Sequence, residues 1–265
     1  MRLRIQFPSF HQHDLRRKPF HVIRDDSRRF FRRYPVVPRY APVRPGFPAP
    51  WSTRRFERKL KDVAGLYMDP PENVIILCMD EKSQIQALER TQPILPILPG
   101  MTERQAADYV RHGTTTLFTV LDVLSGNVIG EYKATHKAKD YLAFLKKADK
   151  QSGKGKTLHI IADNYSTHKT KEVRTYLETK PGRFVMHFIP THSSWLNLVE
   201  RWFEEITNKR IQRESRESAG QLEKAIKDFI RTWNTSGRSF KWVKKPEAIL
   251  AKIQKAKTET VMHNV

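Results

Sequence analysis

Val74-Ile75-Ile76-Leu77-Cys78-Met79-Asp80 is the stretch on which the reading of the fold turns. Six apolar residues in a row suit a strand covered on both faces, since a strand with one wet face alternates apolar and polar positions. The run closes on an aspartate. A second apolar strand is read at Leu158–Ala162, and it also closes on an aspartate, Asp163. In open α/β sheets, sites form in the crevice beyond the C-terminal strand ends. A carboxylate held there is fixed in position and still reaches solvent, as a metal ligand must. The plainer account is that aspartate favours strand ends and turns for backbone reasons.

Working outward, Phe56, Leu60 and Val63 recur at helical spacing and predict a helix from about Ser52 to Leu66, stopped by Asp69-Pro70-Pro71. After the first strand, Pro93, Pro96 and Pro99 mark a loop, and a short polar helix is expected near Thr102. Thr115–Val123 and Val128–Tyr132, separated by Ser125-Gly126-Asn127, read as a hairpin. Helices follow at Ala138–Ala148 and Lys169–Glu178, a strand at Phe184–Phe188, then helices from about Ser194 to Arg210 and from the capping box Ser218-x-x-Gln221 through Leu222, Ile226, Phe229 and Trp233. A last short helix is expected at Pro246–Lys255. Three leading strands followed by alternating helix and strand imply an α/β chain with a mixed sheet flanked by helices, in the order of a ribonuclease-H-like domain.

Lys and Arg total 49 against 28 acidic residues, a formal charge of +21 with a pI near 10.1. Such a surface attracts polyanions and gains affinity by releasing their counterions, so nucleic acid is the expected partner. Structural RNA-binding proteins share the composition, and charge therefore names the partner class and not the activity. The apolar runs are far shorter than the roughly 20 residues that span a bilayer, the mean hydropathy is -0.63, and no signal-peptide core is read near the start. The single cysteine, Cys78, fits a buried thiol in a reducing cytosol. Residues 1–50 hold 8 of the 16 prolines and the clusters Arg16-Arg17-Lys18, Arg28-Arg29 and Arg32-Arg33. They read as a basic, disordered arm, which is either a solvated tail or a strap along DNA phosphates; a transit peptide is a third option. The expected divisions are the arm at 1–50, a linker helix at 51–72, a catalytic domain at 73–256 and a tail at 257–265.

The third candidate carboxylate is Glu200, at the edge of a helical stripe formed by Trp195, Leu198, Val199, Trp202 and Ile206. A glutamate there is also an ordinary surface residue, as Glu204 and Glu205 nearby illustrate. Asp122, in the hairpin strand, is the rival for a place beside Asp80 and Asp163, although a turn explains it structurally. Lys82, Asn164, His168, Lys169 and Arg201 are weaker candidates for touching a nucleic acid, and His168 also reads as a helix-start residue. His192 is a still weaker one.

The stretches Cys78-Met79-Asp80-Glu81-Lys82-Ser83-Gln84, Ala162-Asp163-Asn164-Tyr165-Ser166-Thr167-His168-Lys169 and Ser194-Trp195-Leu196-Asn197-Leu198-Val199-Glu200-Arg201-Trp202-Phe203 resemble the three signature blocks of mariner-type DDE transposases, in the branch of bacterial insertion sequences. The 36 residues between Asp163 and Glu200 lie within that branch's range. The resemblance covers about Arg54 to Ile253. It implies a ribonuclease-H-like fold, Asp80, Asp163 and Glu200 as catalytic residues and ligands of two Mg2+ (or Mn2+) ions, cutting and joining of DNA, transposon ends and target DNA as partners, a homodimer in a synaptic complex, and a bacterial cytoplasmic location, on the nucleoid when DNA is bound. Residues 1–50 are too few and too proline-rich for the paired helix-turn-helix modules of that family, which suggests a truncated copy. Two other readings stand beside this one: a nuclease of the same fold that cleaves without joining, and a catalytically silent DNA-binding remnant or regulator.

Overall fold

A computed structural model describes residues 54–91, 109–212 and 214–262. The arm read at 1–50, the proline-rich loop and the short helix near Thr102 lie outside these residues. Strands β1 (Val74–Arg90), β2 (Tyr109–Asp122), β3 (Val128–Lys133), β4 (Thr157–Ala162) and β5 (Phe184–Phe188) form one sheet in the order β3-β2-β1-β4-β5. The β3-β2-β1 side is antiparallel, and β1, β4 and β5 run parallel. This is the mixed sheet anticipated from the order of elements. Among the described residues, no helix is long and apolar enough to cross a membrane.

The apolar run of β1 divides between two cores. Ile76 and Cys78 face one cluster, built with helices α1 (Arg54–Met68), α4 (Leu198–Ile206), α5 (Ala219–Ser236) and α6 (Pro246–Met262). Leu77 and Met79 face the other, beneath α2 (Ala138–Gln151) and α3 (Lys171–Glu178). A continuous apolar run is what a strand covered on both faces requires, and each fully buried aliphatic side chain in it contributes about 1.5–3 kcal/mol. The segment read as a linker helix is part of the first core. Phe56, Leu60 and Val63 of α1 are buried, and the Tyr67 hydroxyl donates to the Leu196 carbonyl at 2.7 Å with Cys78 Sγ at 3.1 Å.

Three elements depart from the sequence reading. β1 does not end at Asp80 but runs on to Arg90, paired with β2 alone, with register breaks after Lys82 and Gln86. Ile85 and Ala87 of this extension are buried while Ser83 and Gln84 are exposed, so it is a ribbon with one covered face, which apolar continuity does not reveal. The helix expected from Ser194 to Arg210 is broken. A 3-10 turn, Ser194–Leu196, leads to an extended Asn197, then α4, then a π-helical turn, Thr207–Ile211. Finally, α6 continues past Lys255 to Met262, since no proline or glycine intervenes. Ser218 caps α5, its hydroxyl accepting from Gln221 N at 3.2 Å, but the return bond of a capping box is not made, since Gln221 Oε1 accepts from Glu217 N at 3.0 Å instead.

Candidate active site

The pairing of β1 with β4 sets Cys78 opposite Ile161. Continued two residues further, that register leads from Asp80 to Asp163, the residue just past the end of β4. Asp80 is thus mid-strand, at the point where β4 stops pairing and leaves that side of β1 open. On the same face, α4 crosses the sheet and presents Glu200 from its first turn. The Asp80 side chain is held from two sides. Glu81 N donates to its Oδ1 at 2.9 Å, and Asn197 Nδ2 donates to its Oδ2 at 3.3 Å and to the Met79 carbonyl at 3.0 Å. Asn197 therefore explains the broken helix: its amide is drawn into the sheet, and α4 begins only after it.

The electrostatics are those of carboxylates crowded together. Burial, followed by the charges of Glu200 and Glu81, pushes the Asp80 carboxyl well above the usual range, and Asp163 adds to the shift. Glu200 is raised mainly by burial; Lys82 opposes this, and Glu204 and Asp163 reinforce it. Among the described residues no ion pair within 4 Å reaches Asp80 or Glu200. In a chain of charge +21, that is a local excess of unneutralised acid.

Asp163 differs because it has a cation. Burial alone would raise it, but the hydrogen bond and charge of His168 bring its carboxyl below the usual range. His168 Nδ1 lies 2.8 Å from Asp163 Oδ1, and Nε2 lies 3.5 Å from Glu81 Oε2, an ion-pair contact without hydrogen-bond geometry. Its ring stacks on Tyr141 with centroids 4.1 Å apart. Burial works against the charged imidazole, yet Asp163 and Glu81 outweigh it and raise its pKa to about 9. Asp163 Oδ1 also accepts from Tyr165 N at 3.1 Å, closing a turn after β4.

Asp80, Asp163 and Glu200 are near enough to feel one another's charge, whereas none of the three acts on Asp122. That residue accepts from Leu124 N, Ser125 N and Ser125 Oγ and holds the β2–β3 turn. His168, expected to touch nucleic acid, is only 2% exposed and lies inside the fold. Lys82 lies over the Phe203 ring at 5.8 Å, Lys169 bonds to Asn164 Oδ1, and Arg201 is held by Glu204 at 2.7 Å on its own helix. His192 is exposed, with a positive φ of 61°. Sequence reasoning missed two participants. Glu81 alternates with Asp80 and so points to the opposite face, toward His168, as the two-residue strand period implies. Asn197 carried no signal beyond its place at the start of a helix.

Among the described residues, no group of three or more His, Cys, Asp or Glu side chains is placed so that it could hold a metal ion. What is present is an open set of hard oxygen donors, two of the three with raised proton affinity, the donor type that Mg2+ and Mn2+ take, and Mg2+ commonly keeps several waters and uses only one or two carboxylates. The buried Asn197 Oδ1 and Glu81 Oε2 lack hydrogen-bond partners beside this set. In donor chemistry the residues present suit a divalent cation, although their side chains do not close on one point.

A family model described as "DDE superfamily endonuclease" matches residues 75–223, more than half of the chain. Over 92 residues the chain is 29% identical to the insertion element IS630 uncharacterized 39 kDa protein of Shigella sonnei; the match covers 35% of this chain and about a quarter, 26%, of that relative's length. Among solved structures, the chain resembles that of a pre-cleavage Mos1 transpososome at TM-score 0.53 and 16% identity, covering 81% of this chain and 71% of that one. It also resembles the Mos1 mariner paired end complex with Mn at TM-score 0.52 and 18% identity, covering 83% and 62%. At these identities the structures show the fold, which is the ribonuclease-H-like one read from the order of elements. The match that names the chemistry is that of the family model, and by it the chain belongs to the DDE superfamily endonucleases.

Proposed function

We propose that this chain is the catalytic part of a DNA transposase, with Asp80, Asp163 and Glu200 holding two divalent ions, Mg2+ or Mn2+. What supports the reading is that three carboxylates, from β1, the end of β4 and α4, feel one another's charge, and that two of them are raised in pKa with no ion pair within 4 Å among the described residues. Bound there, the ions would activate the attacking oxygen and stabilise the leaving one. The chain's own residues do the positioning. Glu81 N and Asn197 hold Asp80, while Tyr165 N and His168 hold Asp163, so that neither carboxylate must reorganise during reaction. Attack of water on a phosphodiester breaks the P–O3′ bond and frees a 3′-hydroxyl. That hydroxyl then attacks a phosphodiester of target DNA, forming one P–O bond as another breaks. No covalent protein–DNA link is needed, so no nucleophilic side chain is assigned.

DNA is the partner, supported by the +21 charge, and two copies would bring two DNA ends together, as the name of the Mos1 paired end complex says of that protein. On this reading the protein works in the bacterial cytoplasm, on the nucleoid. The test is to incubate the chain with end-labelled linear DNA and Mg2+ and to resolve nicked and joined products. Nicking and joining that vanish in Asp163→Asn support the proposal. Nicking without joining identifies a nuclease of the same fold, and binding without either identifies a silent DNA-binding protein. Cleavage that survives Asp163→Asn overturns the assigned site.

A further inference from the structure

Helix α1 contributes nothing to the carboxylate cluster, yet its basic face meets the same sheet edge. Lys59 Nζ donates to the Ile189 carbonyl at 3.0 Å, and Lys169 Nζ lies 4.6 Å from the centroid of the Phe188 ring. Two ammonium groups therefore flank consecutive residues at the C-terminal end of β5, beside the strand whose end carries Asp163. Arg55 and Arg58 stand on the same turn of α1 and are exposed. After burial, the charges of Arg55, Lys169 and Arg58 lower the pKa of Lys59, so the four cations crowd one place.

None of the four has a carboxylate partner within 4 Å among the described residues. Elsewhere the cations next to acids are used: Lys133 and Lys147 pair with Glu131, Lys180 and Arg183 with Asp149, Arg210 and Arg216 with Glu214. Mutual repulsion at Lys59 opposes folding, and among the described residues no carboxylate within 4 Å of these four cations offsets it. A polyanion would offset it.

We infer that Arg55, Arg58, Lys59 and Lys169 form a phosphate-backbone subsite on the β5 side of the carboxylate cluster, gripping the DNA flank next to the reacting phosphodiester. The subsite rests on the proposed DNA substrate and gives α1 a function besides packing. With Lys82 near Glu200 on the other side, it sets a path for DNA across the sheet edge, from α4 toward α1.

The test is fluorescence anisotropy of a labelled 30-base-pair duplex with the full chain in EDTA, from 50 to 200 mM NaCl. The double variant Arg55→Ser/Arg58→Ser changes only exposed side chains; adding Lys59→Gln gives a second variant. The control Lys224→Gln/Lys227→Gln/Arg231→Gln removes three exposed cations from α5. Each phosphate that is no longer neutralised by a side chain should reduce the slope of log K against log salt by about 0.9. The expected result is a slope shallower by about two in the double variant, tenfold or more weaker binding at 100 mM, and less than twofold change in the control. Equal weakening in variant and control, or none in either, overturns the subsite and leaves the DNA reading standing. No duplex binding by the unaltered chain overturns both.

Discussion

Asp80→Asn is expected to stabilise the protein when no divalent ion is present. Asp80 is 9% exposed, and after burial the charges of Glu200, Glu81 and Asp163, in that order, oppose its ionisation. Like charges within about 10 Å together cost on the order of 3 kcal/mol at an effective dielectric of about 20. The donors Glu81 N and Asn197 Nδ2 return part of that, which leaves a net gain on neutralisation of about 1–2 kcal/mol. The asparagine keeps one acceptor for Glu81 N, while its amide nitrogen takes the place of the oxygen that accepted from Asn197 Nδ2, so that one hydrogen bond is lost. At about 2–4 °C per kcal/mol for a chain of this size, Tm should rise by about 2–8 °C. The pH dependence follows from the raised pKa of Asp80. Below the unfolded value near 4 the group is protonated in both states and costs nothing. The cost grows as pH rises from there to the folded pKa and is constant above it. Calorimetry in EDTA should therefore give a Tm gap near zero at pH 4 and full size at higher pH. Saturating Mn2+ should reverse the order, since ligand at one hundred times its Kd stabilises the parent chain by about 2.7 kcal/mol. A variant less stable than the parent in EDTA at pH 8, or a gap flat with pH, refutes the reasoning.

The imidazole of His168, raised from 6.5 to about 9 by Asp163 and Glu81 after burial has opposed the charge, contributes up to roughly 3 kcal/mol. That contribution is complete below pH 6.5 and lost as pH climbs through 9. Urea unfolding in EDTA should show the stability gap between the parent and His168→Gln narrowing from pH 6 to pH 10, and a constant gap would contradict the ion pair. Gly126 has φ 74°, and a Cβ there would lie 1.8 Å from the Arg238 carbonyl oxygen. Gly126→Ala should cost about 2–4 kcal/mol in urea unfolding, against about 1 kcal/mol for Gly155→Ala, where the space is open. Equal losses would show that the close approach is not what requires the glycine.

The sheet is legible because Val74–Met79 and Leu158–Ala162 carry unbroken or nearly unbroken apolar runs, and burial on two faces leaves that mark in any chain. Asp163 is legible for the same reason, as the residue after such a run. Asp80 is legible too, but for a partly mistaken cause. The apolar run makes it a strand end, whereas β1 continues through polar residues whose pairing with Tyr109–Leu117 depends on a distant segment. As a candidate, Glu200 is legible only through its block, because nothing local separates it from Glu204 on the same helix. Asn197 and the His168–Glu81 contact are hidden, since each joins elements far apart in the chain, and side-chain contact across 117 residues, as from Asn197 to Asp80, leaves no periodicity to read.

The claim that Asp80, Asp163 and Glu200 share divalent ions is met most directly by an anomalous difference map from crystals of the chain soaked in Mn2+. The account predicts strong peaks within coordination distance of all three carboxylates, lost in crystals of Asp163→Asn. Peaks elsewhere on the molecule, or none in the space between β1, β4 and α4, would contradict it.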